Sequence, residues 1–240
     1  MLSFRLSILT ACRAFLLLGL LTSFTGITAQ LSFTSGEISR IIGQQADLRL
    51  ATEDYQSLTI TSQYTDERAG IHHVYVQQQF QGIPVKEGTM GLHFTENGEL
   101  FHFTNHFITN LAEKTTTVVP GLTAQEALQA ALTNLNMGNQ RLTLNAPSNG
   151  SAVEFNKGDF SVWDVPVRLV FEITEARTLA LAWESRIYPL DEQNYWELSI
   201  DALTGTEIAR IDRVIHCTFG EHDHNHAAEA CTFTPAKEEA

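Results

Sequence analysis

Basic side chains are scarce in this sequence. Its 240 residues hold 15 Lys+Arg against 28 Asp+Glu, a formal charge of -13. The positive surface on which phosphate-backbone binding depends is therefore lacking, and nucleic acid is excluded as an expected partner. Cysteine is rarer still, three in all, and none has a reactive-nucleophile context beyond the first thirty residues. After that point no apolar run is long enough to span a bilayer. The motifs of common chemistries are missing too. There is no His-Glu-x-x-His to hold zinc beside a general base, no Gly-x-Ser-x-Gly elbow and no glycine loop to cradle phosphate. Carboxylates such as Asp164 and Glu172 have no spacing that marks an acid/base pair. An enzyme is not expected, nor a cofactor.

What is present begins with a leader. Arg5 and Arg13 flank a run that is continuously apolar from Ala14 to Leu21 and ends in Thr28-Ala29, the layout of a secretory signal peptide over 1–29. Leu9-Thr10-Ala11-Cys12 has lipobox chemistry, but Cys12 precedes the main apolar run and Arg13 follows it. Without its leader the chain carries 13 basic and 28 acidic residues, a formal charge of -15, which suits a secreted or extracytoplasmic protein with no membrane attachment after cleavage. Cys217 and Cys231 then remain, and a disulfide between them is expected in an oxidising compartment. A loop of that size stabilises by about 3 kcal/mol on the chain-entropy model.

The region 57–107 alternates in the manner of strands. Val74, Val76 and Phe80 are expected on one face, with Ile71, His73 and Tyr75 on the other. Met90, Leu92 and Phe94 share a face, Glu96-Asn97-Gly98-Glu99 supplies a hairpin turn, and Phe101, Phe103 and Phe107 are expected to return with the same parity. The character changes at Val119-Pro120-Gly121. Thr123-Ala124-Gln125-Glu126 reads as a capping box opening a helix of about four turns. Ala124, Ala127, Leu128, Ala131, Leu132 and Leu135 form its apolar face, and Gly138 stands where a left-handed cap is expected. Strand periodicity resumes over 165–171, 179–187 and 195–200, and Asp201-Ala202-Leu203-Thr204-Gly205 turns into a last strand from Thr206 to Ile211. The expected fold class is α+β: two small modules of antiparallel sheet, the second with one amphipathic helix packed on it.

The stretch His73-Val74-Tyr75-Val76-Gln77-Gln78-Gln79-Phe80-Gln81-Gly82-Ile83-Pro84-Val85, followed by Met90-Gly91-Leu92-His93-Phe94 and Asn97-Gly98-Glu99-Leu100, resembles the fungalysin/thermolysin propeptide motif of secreted zinc metallopeptidases. The following helix, Leu181-Ala182-Trp183-Glu184 and Asp201-Ala202-Leu203-Thr204-Gly205 resemble the PepSY-like second half of such pro-regions. The resemblance implies a propeptide module over 30–118, a PepSY-like module over 119–215, and a His- and acid-rich junction over 216–240. It marks His73, Val74, Gln78, Gln79, Gly82, Ile83, Pro84 and Val85 as motif positions. It implies a pro-region that assists folding of a cognate zinc metallopeptidase catalytic domain, absent from this chain, and blocks it until cleaved.

Glutamine does no chemistry of its own, so the triple glutamine needs a structural account. Gln78 falls on the apolar side with Val76, where a buried amide needs partners. It is expected to bond the backbone released where Gly82 turns and Ile83 extends before Pro84. Gln77 and Gln79 read as solvated strand residues. His72, His73, His93, His102 and His106 sit on strand-like segments, where core or surface histidines are commoner than ligands. In the tail, His222, His224 and His226 are spaced two apart, an arrangement able to capture metal, although a hydrophilic junction stapled by Cys217 and Cys231 is the simpler reading. Asn149-Gly150-Ser151 is a glycosylation sequon that reads better as a turn. Two rival functions stay open: a stand-alone secreted protease inhibitor of the same fold, and an extracellular metal-binding protein using the histidine tail.

Overall fold

The structure is a computed structural model, and it describes residues 31–145 and 151–215. Cys217, Cys231, His222, His224, His226 and Asn149 lie outside the described residues.

The described residues open with a nine-residue helix, α1 (Ser35–Gly43). Thr34 and Glu37 form a capping box, the Glu37 carboxylate accepting the Thr34 N–H at 2.8 Å and the Thr34 hydroxyl accepting the Glu37 N–H at 3.3 Å. A single turn, α2 (Thr52–Tyr55), leads into four antiparallel strands: β1 (Leu58–Asp66), β2 (Ile71–Phe80), β3 (Ile83–Phe94) and β4 (Leu100–Asn105). The inward positions of these strands, Leu58, Val74, Val76, Met90, Leu92 and Phe94, meet Ile38 and Ile42 of α1 and Phe107 in one buried apolar cluster.

The alternation expected for β2 and β3 is present, but β4 departs from it. His93 pairs with His102 and Phe94 with Leu100, so Phe101 is the extra residue of a bulge. Leu100 turns toward the core in its place, and Phe101 is 55% exposed.

A second helical turn, α3 (Leu111–Lys114), precedes the amphipathic helix α4 (Ala124–Asn134). The Thr123/Glu126 capping box forms as expected. The helix is shorter than the four turns expected. It closes in a Schellman motif, with the Asn136 N–H donating to the Thr133 carbonyl and the Met137 N–H to the Leu132 carbonyl. Asn136, at φ 59°, takes the left-handed position expected of Gly138. Asn is the side chain that tolerates this conformation best.

Strands β5 (Ala152–Phe155), β6 (Val165–Ile173), β7 (Leu179–Ile187), β8 (Trp196–Asp201) and β9 (Glu207–Asp212) pair antiparallel in that order. Helix α4 packs on β6, β7 and β8. Ala127, Leu128, Ala131 and Leu132 are buried against Val167, Leu169, Phe171, Leu181, Trp183, Leu198 and Ile200. The Trp183 indole N–H finds the Leu122 carbonyl at 2.9 Å, which ties the approach to α4 onto the sheet. The fold is α+β. Its two antiparallel sheets are joined through one parallel bridge, Val85 to Phe171. That bridge gives β3 a place in both cores: Ile83 and Val85 belong to the α4 cluster, Met90, Leu92 and Phe94 to the α1 cluster.

Candidate functional site

The hairpin of β2 and β3 carries the positions singled out in the sequence. Phe80 pairs with Ile83, so Gln81 and Gly82 alone make the loop, both left-handed at φ 50° and 81°. This is the two-residue turn whose twist matches the strands it joins. Beyond the turn Ile83 and Val85 are buried, Pro84 half-buried.

The register then breaks. Gln79 pairs with Pro84 but Gln77 pairs with Thr89, so residues 85–88 of β3 stand opposite the single residue Gln78. Within the bulge Glu87 has φ 64°. A Cβ on Gly88 would lie 2.8 Å from the Gln78 Oε1 atom, so a side chain there would collide with the glutamine.

Gln78 is fully buried. Its Nε2 donates to the carbonyls of Asp54 and Ile108, both at 2.8 Å, and its Oε1 accepts the Ile108 N–H at 2.9 Å. These partners differ from the expected ones at 82–84. The two-residue turn closes its own strand pair, whereas the segment after β4 and the end of α2 need a partner inside the core. Asp54, equally buried, completes the clamp by accepting the N–H groups of Asn110 and Leu111, each at 2.9 Å.

Gln77 and Gln79 are half-buried and bonded, not simply solvated. Gln77 Nε2 reaches the Val85 carbonyl in the bulge at 3.4 Å, and Gln79 Nε2 reaches Thr59 Oγ1 at 2.7 Å.

The bulge also delivers Lys86 to the second sheet. Its ammonium lies 3.0 Å from Glu172, 3.1 Å from Glu197 and 3.6 Å from Glu184, and 3.1 Å from Ser199 Oγ. Arg168 pairs with Glu184 at 2.9 Å, Arg186 with Glu197 at 3.1 Å, and Arg213 with both oxygens of Glu197 at 2.8 Å. Burial alone would lower the Lys86 pKa, but the charges and hydrogen bonds of Glu172 and Glu197 outweigh it and raise it. Burial alone would likewise raise the Glu197 carboxyl. Hydrogen bonds from Arg213 and Lys86, with their charges, pull it down to about 2. Sequence reading missed this network, although it noted Glu172. Its signal was charged residues at alternate positions within apolar strands, Glu184 and Arg186 in β7 and Glu197 in β8.

On the outer face of the first sheet, His73, His93 and His102 are direct cross-strand neighbours. His73 and His93 bring their Nδ1 atoms to 2.7 Å. Val74, beside His73, points into the core. His72 is buried, with Nδ1 2.8 Å from Thr65 Oγ1; burial, then the neighbouring His73, lowers its pKa. His106 is exposed.

A separate open cavity of about 510 Å³ lies beyond the end of α4, lined in part by Met137, Phe160, Leu190, Trp196 and Arg210. None of the motif positions reaches it.

Comparison with known proteins bears on the first sheet. Residues 56–107 match the Fungalysin/Thermolysin Propeptide Motif. No curated protein matches the chain. Among solved structures it is similar to the Bacillus megaterium YpeB C-terminal domain, at 12% identity and a TM-score of 0.34, over 76% of this chain and 66% of that one. It thus spans just under two thirds of that structure. A Clostridium difficile protein described as a lipoprotein is similar at 11% identity and a TM-score of 0.25, over 78% of this chain and 98% of that one. The matched segment runs from just before β1 to just after β4 and contains the hairpin, the bulge and Gln78. The segment that matches the fungalysin/thermolysin propeptide motif, 56–107, is folded here as the β1–β4 sheet.

Proposed function

We propose that this chain is the secreted pro-region of a zinc metallopeptidase, acting on its catalytic domain first as a folding chaperone and then as an inhibitor. The observation that carries the reading is the propeptide-motif match over 56–107. In this reading 1–29 is a cleavable leader, 30–118 the propeptide module, 119–215 a PepSY-like module and 216–240 the junction toward the peptidase. His73, Val74, Gln78, Gln79, Gly82, Ile83, Pro84 and Val85 then serve to hold the binding surface in shape. The chain itself is a binder and carries no catalysis. No described helix is long and apolar enough to cross a membrane.

The physics asked of it is linkage: a partner that binds the native protease and not its unfolded chain shifts the folding equilibrium toward the native state. The test is refolding in trans. Denatured catalytic domains of metallopeptidases encoded beside this gene are diluted into buffer with and without the full chain. The reading requires a higher yield of folded peptidase, together with inhibition of the folded peptidase by excess chain. If neither yield nor activity changes for any of them, the reading fails.

A further inference from the structure

We infer that His73 and His93 form a binding site for a divalent transition cation of the copper and zinc type on the outer face of the β1–β4 sheet. This is independent of the pro-region reading and involves no residue of the tail.

The ligands converge because of register. His73 and His93 are paired directly across β2 and β3, and His102 comes next on β4. Opposed side chains on neighbouring strands start about 5 Å apart at Cβ. The first two rings have turned their Nδ1 atoms toward each other, 2.7 Å apart. Only one proton can occupy that contact, so one imidazole presents a lone pair to the other. A cation replacing the proton would be bound by both. With metal–nitrogen bonds of about 2.0 to 2.1 Å, two ligands at a tetragonal or tetrahedral centre stand about 3 Å apart. The pair therefore needs to open by well under about 1 Å, a small rotation of either ring.

The surroundings hold the rings in place. Tyr64 stacks on His73 with centroids at 4.9 Å, His102 stacks on His93 at 5.5 Å, and Tyr75 meets His93 edge-on at 6.2 Å. Tyr75 in turn lies close over Gly91, where a Cβ would come within 3.2 Å of its ring. Ligands borne on strands and braced by packed rings are the arrangement that a metal site needs. His73 and His93 are half-buried and His102 exposed, so the site is open to solvent. The only Lys or Arg within β1–β4 is Lys86, whose ammonium is engaged by the second sheet, so no fixed cation of these strands repels the metal. Among the described residues no three His, Cys, Asp or Glu side chains are set to hold an ion. The site is thus a two-imidazole chelate completed by water, which favours Cu²⁺ over Zn²⁺ by the usual order of nitrogen affinity.

The test uses the full chain carrying His216→Asn, His222→Asn, His224→Asn and His226→Asn, which removes the tail imidazoles. Calorimetric titration with Cu²⁺, and separately with Zn²⁺, should give one saturable equivalent, tighter for Cu²⁺. His73→Gln or His93→Gln should each weaken Cu²⁺ binding by about tenfold or more, and His106→Gln should not. Metal-free melting curves show whether each variant is folded. Independently of those two substitutions, Cu²⁺ should broaden the amide resonances nearest residues 73 and 93. Absence of saturable binding in this background, affinity unchanged by both substitutions, or broadening centred elsewhere would each overturn the proposal.

Discussion

Gln78 and Ile108 face each other as two strands would: the side-chain oxygen of Gln78 accepts the Ile108 N–H at 2.9 Å, and its amide returns a bond to the Ile108 carbonyl at 2.8 Å. A side chain thus takes the place of a backbone partner inside the core. Replacing Gln78 with Leu removes that partner and leaves the Ile108 N–H, the Ile108 carbonyl and the Asp54 carbonyl without it. The expected loss is about 3 kcal/mol of stability, read as a lowered urea midpoint at unchanged slope. A variant as stable as the parent would show that the clamp is dispensable.

The turn and the bulge respond to substitution for different reasons. Gly82 has open space around it but φ 81°, so Gly82→Val meets backbone strain alone, about 1 to 3 kcal/mol. Gly88→Ala meets the Gln78 amide, and should displace it. Double-mutant cycles separate the two: Gly88→Ala should couple strongly to Gln78→Leu, whereas Gly82→Val should add to it independently.

Lys86 neutralises carboxylates that arrive from three strands of the other sheet. Lys86→Met leaves Glu172, Glu184 and Glu197 buried without the ammonium, a change expected to cost about 3 to 5 kcal/mol. The loss should appear in both cores, reported by the near-ultraviolet signals of Trp183 and of Tyr55. A shift confined to one of them would show that the ion network does not couple the sheets.

Acid should weaken the same network. The Glu197 carboxyl is held at about 2, below its ordinary 4.5, so its contribution is present in full above about pH 4.5 and is lost as pH falls toward 2. Unfolding midpoints measured from pH 7 to pH 2 should decline through that window. Glu197→Gln, less stable at pH 7, should decline less steeply. Parallel pH profiles for the two proteins would rule out the assignment to Glu197.

What could be read from the sequence was whatever depends on near neighbours. The Thr123/Glu126 box, the α4 stripe and the inward set Val74, Val76, Met90, Leu92 and Phe94 are periodic signals, and all are present. The same box at Thr34 and Glu37 went unread because the helix it opens is only nine residues long. Phe101 was misplaced because one extra residue inverts the parity of its strand. The partners of Gln78 lie 24 and 30 positions away, and Lys86 meets Glu172 at a separation of 86. Pairings at such distances depend on how β3 bends, and no local pattern announces the bend.

Because β3 supplies Ile83 and Val85 to one core and Met90, Leu92 and Phe94 to the other, neither core is complete without the same twelve residues. Damage therefore cannot remain local. A single cut in this strand withdraws a wall from both cores, so both are expected to loosen together. That shared strand would set a lifetime: the fold persists intact until the first nick in β3, and is then cleared as one piece.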